Sequence, residues 1–363
     1  MDWKKYFAEI GVIDGHLHLY DWQDRKTGEH FLHALEEYKE KMQLRAFNIA
    51  ALPAGKNRDA SNNMLIAFYK LANPAAYAHG GLIYTEYPPT ATGENRKEPL
   101  TQYEELMAIG FDGIKMLEGK PNLYKMVNTP LDSDYYDAFF ARAEQDKTHI
   151  LAHINDPEEF WDDDWASDEL KAKGWFYGDG TYIKNTEMYA QIDRLMEKHP
   201  NLTATFAHFF FHSASPEVLE EMFAKYPNMA VDLTPGSEMY VNFNKRPEYY
   251  KEFFRRYADR IVFGTDGCFP KNMDAMEWLC DRVFRYVATD DATDAWGDTP
   301  LHGICLDRAN VERIMVGNFV AKVGAAPKPI NKEALKHYIE KYKSNIGNEA
   351  TRREVERLAE EWL

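Results

Sequence analysis

A (β/α)8 barrel is the fold this sequence predicts, and three observations predict it. Short apolar runs rich in Val, Ile and Phe recur along the chain. Amphipathic segments with apolar residues at i, i+3 and i+4 lie between them. The alternating units number eight in about 260 residues, the size of such a barrel. Alternation implies parallel strands joined by helical crossovers, because no tight turn can join two parallel neighbours. A doubly wound open sheet is the alternative.

The predicted strands are Val12 to Leu19, Arg45 to Leu52, Ala78 to Tyr84, Phe111 to Leu117, His149 to Ile154, Leu202 to Phe209, Met229 to Leu233 and Ile261 to Thr265. Helical periodicity covers Phe31 to Gln43, Ala60 to Leu71, Thr101 to Ile109, Tyr135 to Gln145, Thr186 to Lys198, Pro216 to Lys225 and Pro247 to Tyr257. Prolines at Pro200 and Pro227 follow a basic last turn and stop two of these helices. After the eighth strand come Met273 to Thr289, an acidic loop Asp290 to Pro300, and helices near Asn310 to Val323, Asn331 to Lys343 and Asn348 to Leu363, an appended helical layer. The whole chain, 1–363, reads as one domain, without repeat, low-complexity tract or linker.

One connection is longer than its siblings. About 48 residues separate the fifth and sixth strands, and the excess is aromatic and acidic, as in Phe160-Trp161-Asp162-Asp163-Asp164-Trp165 and Gly174-Trp175-Phe176-Tyr177. Long loops in compact domains are commonly functional, and bulky aromatics argue against disorder. We expect the insertion from Asp156 to Gly180 to be a lid that brings aromatic walls to the active-site mouth, with a dimer contact as its alternative use.

Composition excludes several classes. With 45% hydrophobic and 14% aromatic residues, 363 residues can bury a sizeable core. A formal charge of −16 speaks against nucleic acid or an anionic membrane surface as partner, since both demand basic patches. No apolar run reaches the ~18 residues of a membrane span, and no signal-type apolar segment follows Met1 to Tyr6, so the expected compartment is the cytoplasm. Cys268, Cys280 and Cys305 form no CxxC pattern, so a metal here would be held by nitrogen and oxygen. The expected partner is a small-molecule substrate, and a homo-oligomer is compatible with the sequence.

Barrel enzymes carry their reactive groups at the C-terminal ends of the strands, which sorts the histidines. His16 and His18 end the first strand in Val12-Ile13-Asp14-Gly15-His16-Leu17-His18-Leu19, one residue apart and therefore on one side of the strand. His153 ends the fifth, His208 the sixth and Asp266 the eighth. His79 and His149 begin their strands at the opposite face, and His30, His33, His199, His302 and His337 fall on helices or loops, where a structural role is expected. Four strand-end histidines with a strand-end aspartate form a set suited to Zn²⁺ or a similar divalent ion.

The set resembles the amidohydrolase superfamily, whose barrels carry HxH on strand one, His on strands five and six, and Asp on strand eight. The runs His153-Ile154-Asn155-Asp156-Pro157-Glu158-Glu159-Phe160 and Arg260-Ile261-Val262-Phe263-Gly264-Thr265-Asp266 are similar to its amidohydrolase-related branch, over roughly residues 12 to 320. That branch includes metal-dependent hydrolases and decarboxylases. The resemblance implies one divalent ion rather than two, Zn²⁺ by expectation. Lys115, at the end of the fourth strand, has three readings: a carboxylated bridge between two metals, a cation for an acidic substrate group, or a salt-bridged rim residue. His212 rivals His208 for the sixth-strand role, with His208 preferred because it sits directly at the strand end. Asp232 and Glu86 are candidate substrate contacts for which solvation at the rim is the simpler reading.

Two enzymatic readings follow. In the first, a hydrolase of a small-molecule amide, ester or lactone, His16, His18, His153 and Asp266 hold the ion, Asp266 accepts a proton from the activated water, and His208 polarises or protonates the substrate. In the second, the same set serves nonoxidative decarboxylation of a cyclic or aromatic carboxylic acid, with His208 as general acid or base. A barrel without catalysis, acting only as a binding protein, is the reading from another class.

Overall fold

In the computed structural model, residues 2–19, 32–33, 35–53, 59–84, 98–236, 238–269, 273–296 and 299–363 are described. The eight expected strands are all there: β1 (Ile13–Leu19), β2 (Ala46–Ala50), β3 (Tyr77–Gly81), β4 (Gly113–Gly119), β5 (His149–Ile154), β6 (Ala204–Phe206), β7 (Met229–Asp232) and β8 (Ile261–Val262). Each pairs in parallel with the next. The eighth stretch is longer than expected and splits in two. Its first half, β8, pairs with β7, and its second half, β9 (Gly267–Phe269), pairs in parallel with β1 through Leu17 and Gly267, His18 and Cys268, and Leu19 and Phe269. Between the halves, Gly15 N–H donates to the Phe263 carbonyl at 3.0 Å and Asp266 N–H to the His16 carbonyl at 2.8 Å. The barrel is thereby closed.

Closure depends on backbone proximity. A Cβ on Gly15 would sit 2.9 Å from the Phe263 carbonyl oxygen, and one on Gly264 2.9 Å from His16 Cβ, so neither position admits a side chain without moving a strand. Buried Asp14 binds the same seam: it accepts from Thr265 Oγ1 at 2.6 Å, Tyr38 Oη at 2.7 Å and Thr265 N–H at 3.1 Å. Burial pushes its carboxyl up to about 6, against the pull of those donors.

The floor of the barrel is closed by Phe319, packed with Ile13, Ala46, Tyr77, Ala230 and Val262. Above it runs an ordered chain of hydrogen bonds. Asn48 Nδ2 donates to the Gly15 carbonyl at 2.9 Å, which leaves its Oδ1 to accept from His79 Nδ1–H at 2.7 Å. His79 Nε2 then accepts from His149 Nδ1–H at 2.7 Å, and His149 Nε2 from the Thr205 hydroxyl at 2.8 Å. Both rings are buried and neutral, and the structural role expected for them holds. Burial pushes His149 down to about 3 and His79 well below its ordinary range, where His149 adds to the effect. A folded-state pKa below the unfolded one means that the rings' contribution is intact above about pH 6.5 and is lost as pH falls. Unfolding free energy is expected to drop by up to about 1.4 kcal/mol per pH unit for each ring below that value. Urea denaturation at pH 7 and pH 5 measures this, and His149→Gln should flatten the slope; equal slopes in wild type and variant would contradict it.

The predicted helices lie outside the sheet, from Ser61–Ala72 through Pro247–Arg256, close to their expected bounds, although part of the first one expected, from Phe31, falls outside the described residues. Among the described residues, four further helices, Trp3–Ile10, Pro121–Val127, Asp168–Ala172 and Met239–Lys245, are not among those expected. The stretch Asp290 to Pro300, expected as a loop, instead carries an antiparallel pair, β10 (Ala292–Trp296) with β11 (Thr299–His302). Its alternation of small and polar residues gives no apolar face from which a strand could be read.

The sixth strand ends three residues early for a conformational reason. His208, Phe209, Phe210 and Phe211 take φ of 57°, 55°, 55° and 54°, one left-handed turn made without glycine. Such a turn costs about 1–2 kcal/mol per residue. Burial of Phe209 and Phe210 offsets it, each Phe side chain contributing about 1.5–3 kcal/mol. Phe209 packs on Phe243 and Phe253 at 4.9 and 5.5 Å, and Phe210 on Phe206 at 4.4 Å. The turn aims His208 across the barrel mouth.

Candidate active site

At the C-terminal ends of the strands lies a cavity of about 590 Å³. His18, Lys115, His153, His208 and Asp266 line it, whereas His16 and Asp232 do not. His16 lies directly behind, 1% exposed.

Three of them converge. His16 Nε2 and His18 Nε2 are 3.2 Å apart, and Asp266 Oδ1 is 3.0 Å from His18 Nε2 and 3.6 Å from His16 Nε2. The other ring nitrogens settle the protonation. His18 Nδ1 lies 2.7 Å from the Ala50 carbonyl oxygen and must donate to it; His16 Nδ1 lies 2.8 Å from Asp232 Oδ2 and donates there. Burial, and secondarily the Lys115 ammonium, pushes His16 down to about 4, so its ring is neutral. His16 Nε2 therefore presents a lone pair on the side of His18 Nε2 and the Asp266 carboxylate oxygen. Each of the three atoms is one that can bind a divalent ion. A tetrahedral ion with bonds of about 2.0–2.1 Å has donor edges of about 3.3 Å, the scale of these separations. His16, His18 and Asp266 thus form a set able to hold a divalent ion.

Lys115 supplies one positive charge beside this set. Its Nζ donates to His16 Nε2 at 3.0 Å, and it is 2% exposed, which removes the rim reading. Burial pushes its ammonium down to about 8, with Asp266 and Asp232 pulling the other way. Asp232 is no rim residue either: at 1% exposed it accepts from His16 on one oxygen and, on the other, from His208 N–H at 2.8 Å and Thr234 N–H at 3.1 Å.

His153 and His208 stand next to the set without joining it. Their rings are 4.9 Å apart, and His208 is 6.2 Å from the His16 ring. His153 Nε2 faces Asp156 Oδ1 at 3.3 Å and Lys120 Nζ at 3.5 Å. Burial and the Lys120 charge push His153 down to about 3. His208 Nδ1 meets the Thr234 hydroxyl at 3.1 Å. His212 points elsewhere, to Ser215 Oγ at 3.1 Å and the Tyr189 ring at 4.4 Å. Glu86 and His30 lie outside the described residues.

The insertion covers the cavity as expected. Phe160 and Trp175 line it, stacked 6.3 Å apart and nearly parallel, and Tyr177 N–H donates to the Phe160 carbonyl at 2.8 Å. Sequence reading missed the polar group beneath: Lys120, Asp156 and Tyr177. Asp156 follows His153 by three residues and Lys120 directly follows β4, so strand-end position, applied to the next few residues as well, is the signal that would have found both. Asp156 accepts from Lys120 Nζ at 2.6 and 2.7 Å and from Tyr177 Oη at 2.7 Å. Burial opposes its charge, but the Lys120 ammonium and its other donors hold it well below the usual carboxylate range.

Comparison with known proteins bears on the fold and the family. No curated protein matches the chain. Among solved structures, it is similar to 2,6-dihydroxybenzoate decarboxylase from Rhizobium (15% identity, 86% of this chain and 98% of the other, TM-score 0.50). It is likewise similar to the IDCase of Metarhizium anisopliae (13% identity, 86% and 96%, TM-score 0.51). A third is 4-oxalomesaconate hydratase from Rhodopseudomonas palustris (13% identity, 91% and 98%, TM-score 0.50). Identities this low establish the shared barrel and nothing finer. The sequence-level finding goes further: the family model described as amidohydrolase matches residues 13–318, from the first residue of β1 to the segment that plugs the barrel floor, and the chain belongs to that family of enzymes.

Proposed function

We infer that the protein is a metal-dependent hydrolase acting on a small-molecule amide, ester or lactone, with His16, His18 and Asp266 holding the ion and His153 and His208 adjoining it. The observation that carries this reading is the convergence of three acceptor atoms, His16 Nε2, His18 Nε2 and Asp266 Oδ1, at the wall of the cavity. A bound divalent ion, Zn²⁺ by its fit to nitrogen and oxygen donors, supplies Lewis-acid polarisation and lowers the pKa of water at that place. Asp266, whose carboxylate is a third exposed toward the cavity, takes the proton from the attacking water. His208, oriented by Thr234, returns a proton to the leaving group. Phe160, Trp175 and Phe211 exclude bulk water from the reacting centre.

A second reading, nonoxidative decarboxylation with His208 as the proton donor, is favoured by one observation: Lys115, at the wall of the cavity beside the His16, His18 and Asp266 set, suits a carboxylate substrate. The cytoplasm as location is supported by the cysteines, all of which are thiols.

Protein purified without chelator is expected to carry about one divalent metal per chain, a count that follows from a set of three protein donors plus the adjoining His153. Elemental analysis combined with a turnover screen of lactones, amides and aromatic acids tests it. Absence of Zn, Mn, Co, Ni and Fe, with no activity gained on adding them, would remove the metalloenzyme reading.

A further inference from the structure

The cavity holds a cation that the reaction as read above does not use. Lys120 precedes the short helix Pro121–Val127, and both it and its partner Asp156 line the cavity wall, the Lys120 side chain 21% exposed and that of Asp156 5%. The ammonium is the more accessible end of the pair. The Asp156 carboxylate is occupied on both oxygens by Lys120, and Tyr177 Oη also donates to one of them, which spreads its charge away from the opening. An ammonium has three donors. Two are directed at Asp156, and among the described residues the third has the 3.5 Å approach to His153 Nε2.

Position gives this cation a meaning. From the converging atoms the steps are 6.2 Å from the His16 ring to that of His208, 4.9 Å on to that of His153, and 3.5 Å from His153 Nε2 to Lys120 Nζ. The same cavity wall carries the apolar side chains of Leu123, Met126, Phe160, Phe211 and Trp175. A ligand spanning the two ends thus needs a reacting group at one, a flat apolar body between, and an anion at the other. Resting on the reading of this cavity as the substrate site, we propose that Lys120, held in position by Asp156 and Tyr177, is a specificity-determining residue that binds an anionic group of the substrate away from the reacting end.

Calorimetric titration of benzoate, isophthalate and terephthalate into the metal-loaded protein tests this, because the three share one carboxylate and a ring and differ in the second carboxylate. Wild type is expected to bind at least one of the dicarboxylates tenfold or more tightly than benzoate. Lys120→Met should lose that preference while keeping the benzoate affinity, and Lys120→Arg should restore part of it. Equal binding of all three by wild type, failure of both dicarboxylates to bind, or an unchanged preference in Lys120→Met would overturn the proposal. Should Lys120→Met unfold by stranding the Asp156 charge, Lys120→Met/Asp156→Asn removes both charges, keeps an acceptor for Tyr177, and must lose the preference too. A protein that turns nothing over but shows the preference would refute the hydrolytic reading and leave the anion site standing.

Discussion

Replacing Asp266 by Asn is expected to lower turnover by roughly 10²- to 10⁴-fold, the usual cost of losing a positioned general base, while the barrel stays folded. Asp266 sits at φ 54°, a conformation that Asn tolerates as well as Asp does, and its N–H bond to the His16 carbonyl belongs to the backbone. The fold thus loses little. An amide oxygen can still complete the set with His16 and His18, so part of the metal should remain, but an amide accepts no proton at any working pH. Decarboxylation needs no deprotonated water, and under that reading Asp266→Asn should cost less than His208→Ala, whereas hydrolysis predicts the reverse order. Steady-state kinetics on both variants, with metal content measured on the same samples, separates the two. Wild-type turnover by metal-loaded Asp266→Asn would place the base on another residue.

A second large effect is expected one layer behind the site. Asp232→Asn should weaken metal binding by about 10- to 100-fold, as loss of a partner that orients a ligating histidine commonly does. The reason is a count of donors. One Asp232 oxygen accepts from His16 Nδ1–H and the other from His208 N–H, Thr234 N–H and the Thr234 hydroxyl. An amide has one acceptor atom and one donor, so whichever way it points, a donor meets a donor. If the NH₂ faces His16, the ring is driven to carry its proton on Nε2, which removes the lone pair aimed at His18 and Asp266. If it faces His208, the backbone of the left-handed turn loses its anchor, at about 1–3 kcal/mol for a buried unsatisfied group. Competition titration with a chromogenic chelator reads the first outcome and thermal melting the second. A variant unchanged in both would show that Asp232 does not set the His16 tautomer.

Much of this arrangement was legible in the residues, for reasons of periodicity. Parallel strands buried on both faces must be continuous apolar runs, and the helices that cross between them must be amphipathic, so Val12 to Leu19 or Pro216 to Lys225 declare themselves. Reactive side chains at strand ends follow the same logic, which is why His16, His18, His153, His208 and Asp266 could be picked out together. Asp232 was misread because a carboxylate at a strand end looks the same in sequence whether water or His16 and Thr234 solvate it. Lys120, Asp156 and Tyr177 were passed over because their meaning lies in mutual contact across 36 and 21 residues of chain.

By itself, then, the sequence determined the alternation of strand and helix, the end of the barrel at which each candidate side chain lies, and a nitrogen and oxygen donor set, because all three follow from local period and residue type. Tertiary structure alone decided which donors meet. His16, His18 and Asp266 converge because Gly15 and Gly264 let the first and eighth strands approach to backbone contact. His208 is aimed by four left-handed residues held by the aromatic packing of Phe209 and Phe210 and by the bond from His208 N–H to Asp232. His153 turns toward Lys120 and Asp156 because a buried charge pair is held where its donors are, and that place is set by the insertion folding back over the barrel mouth.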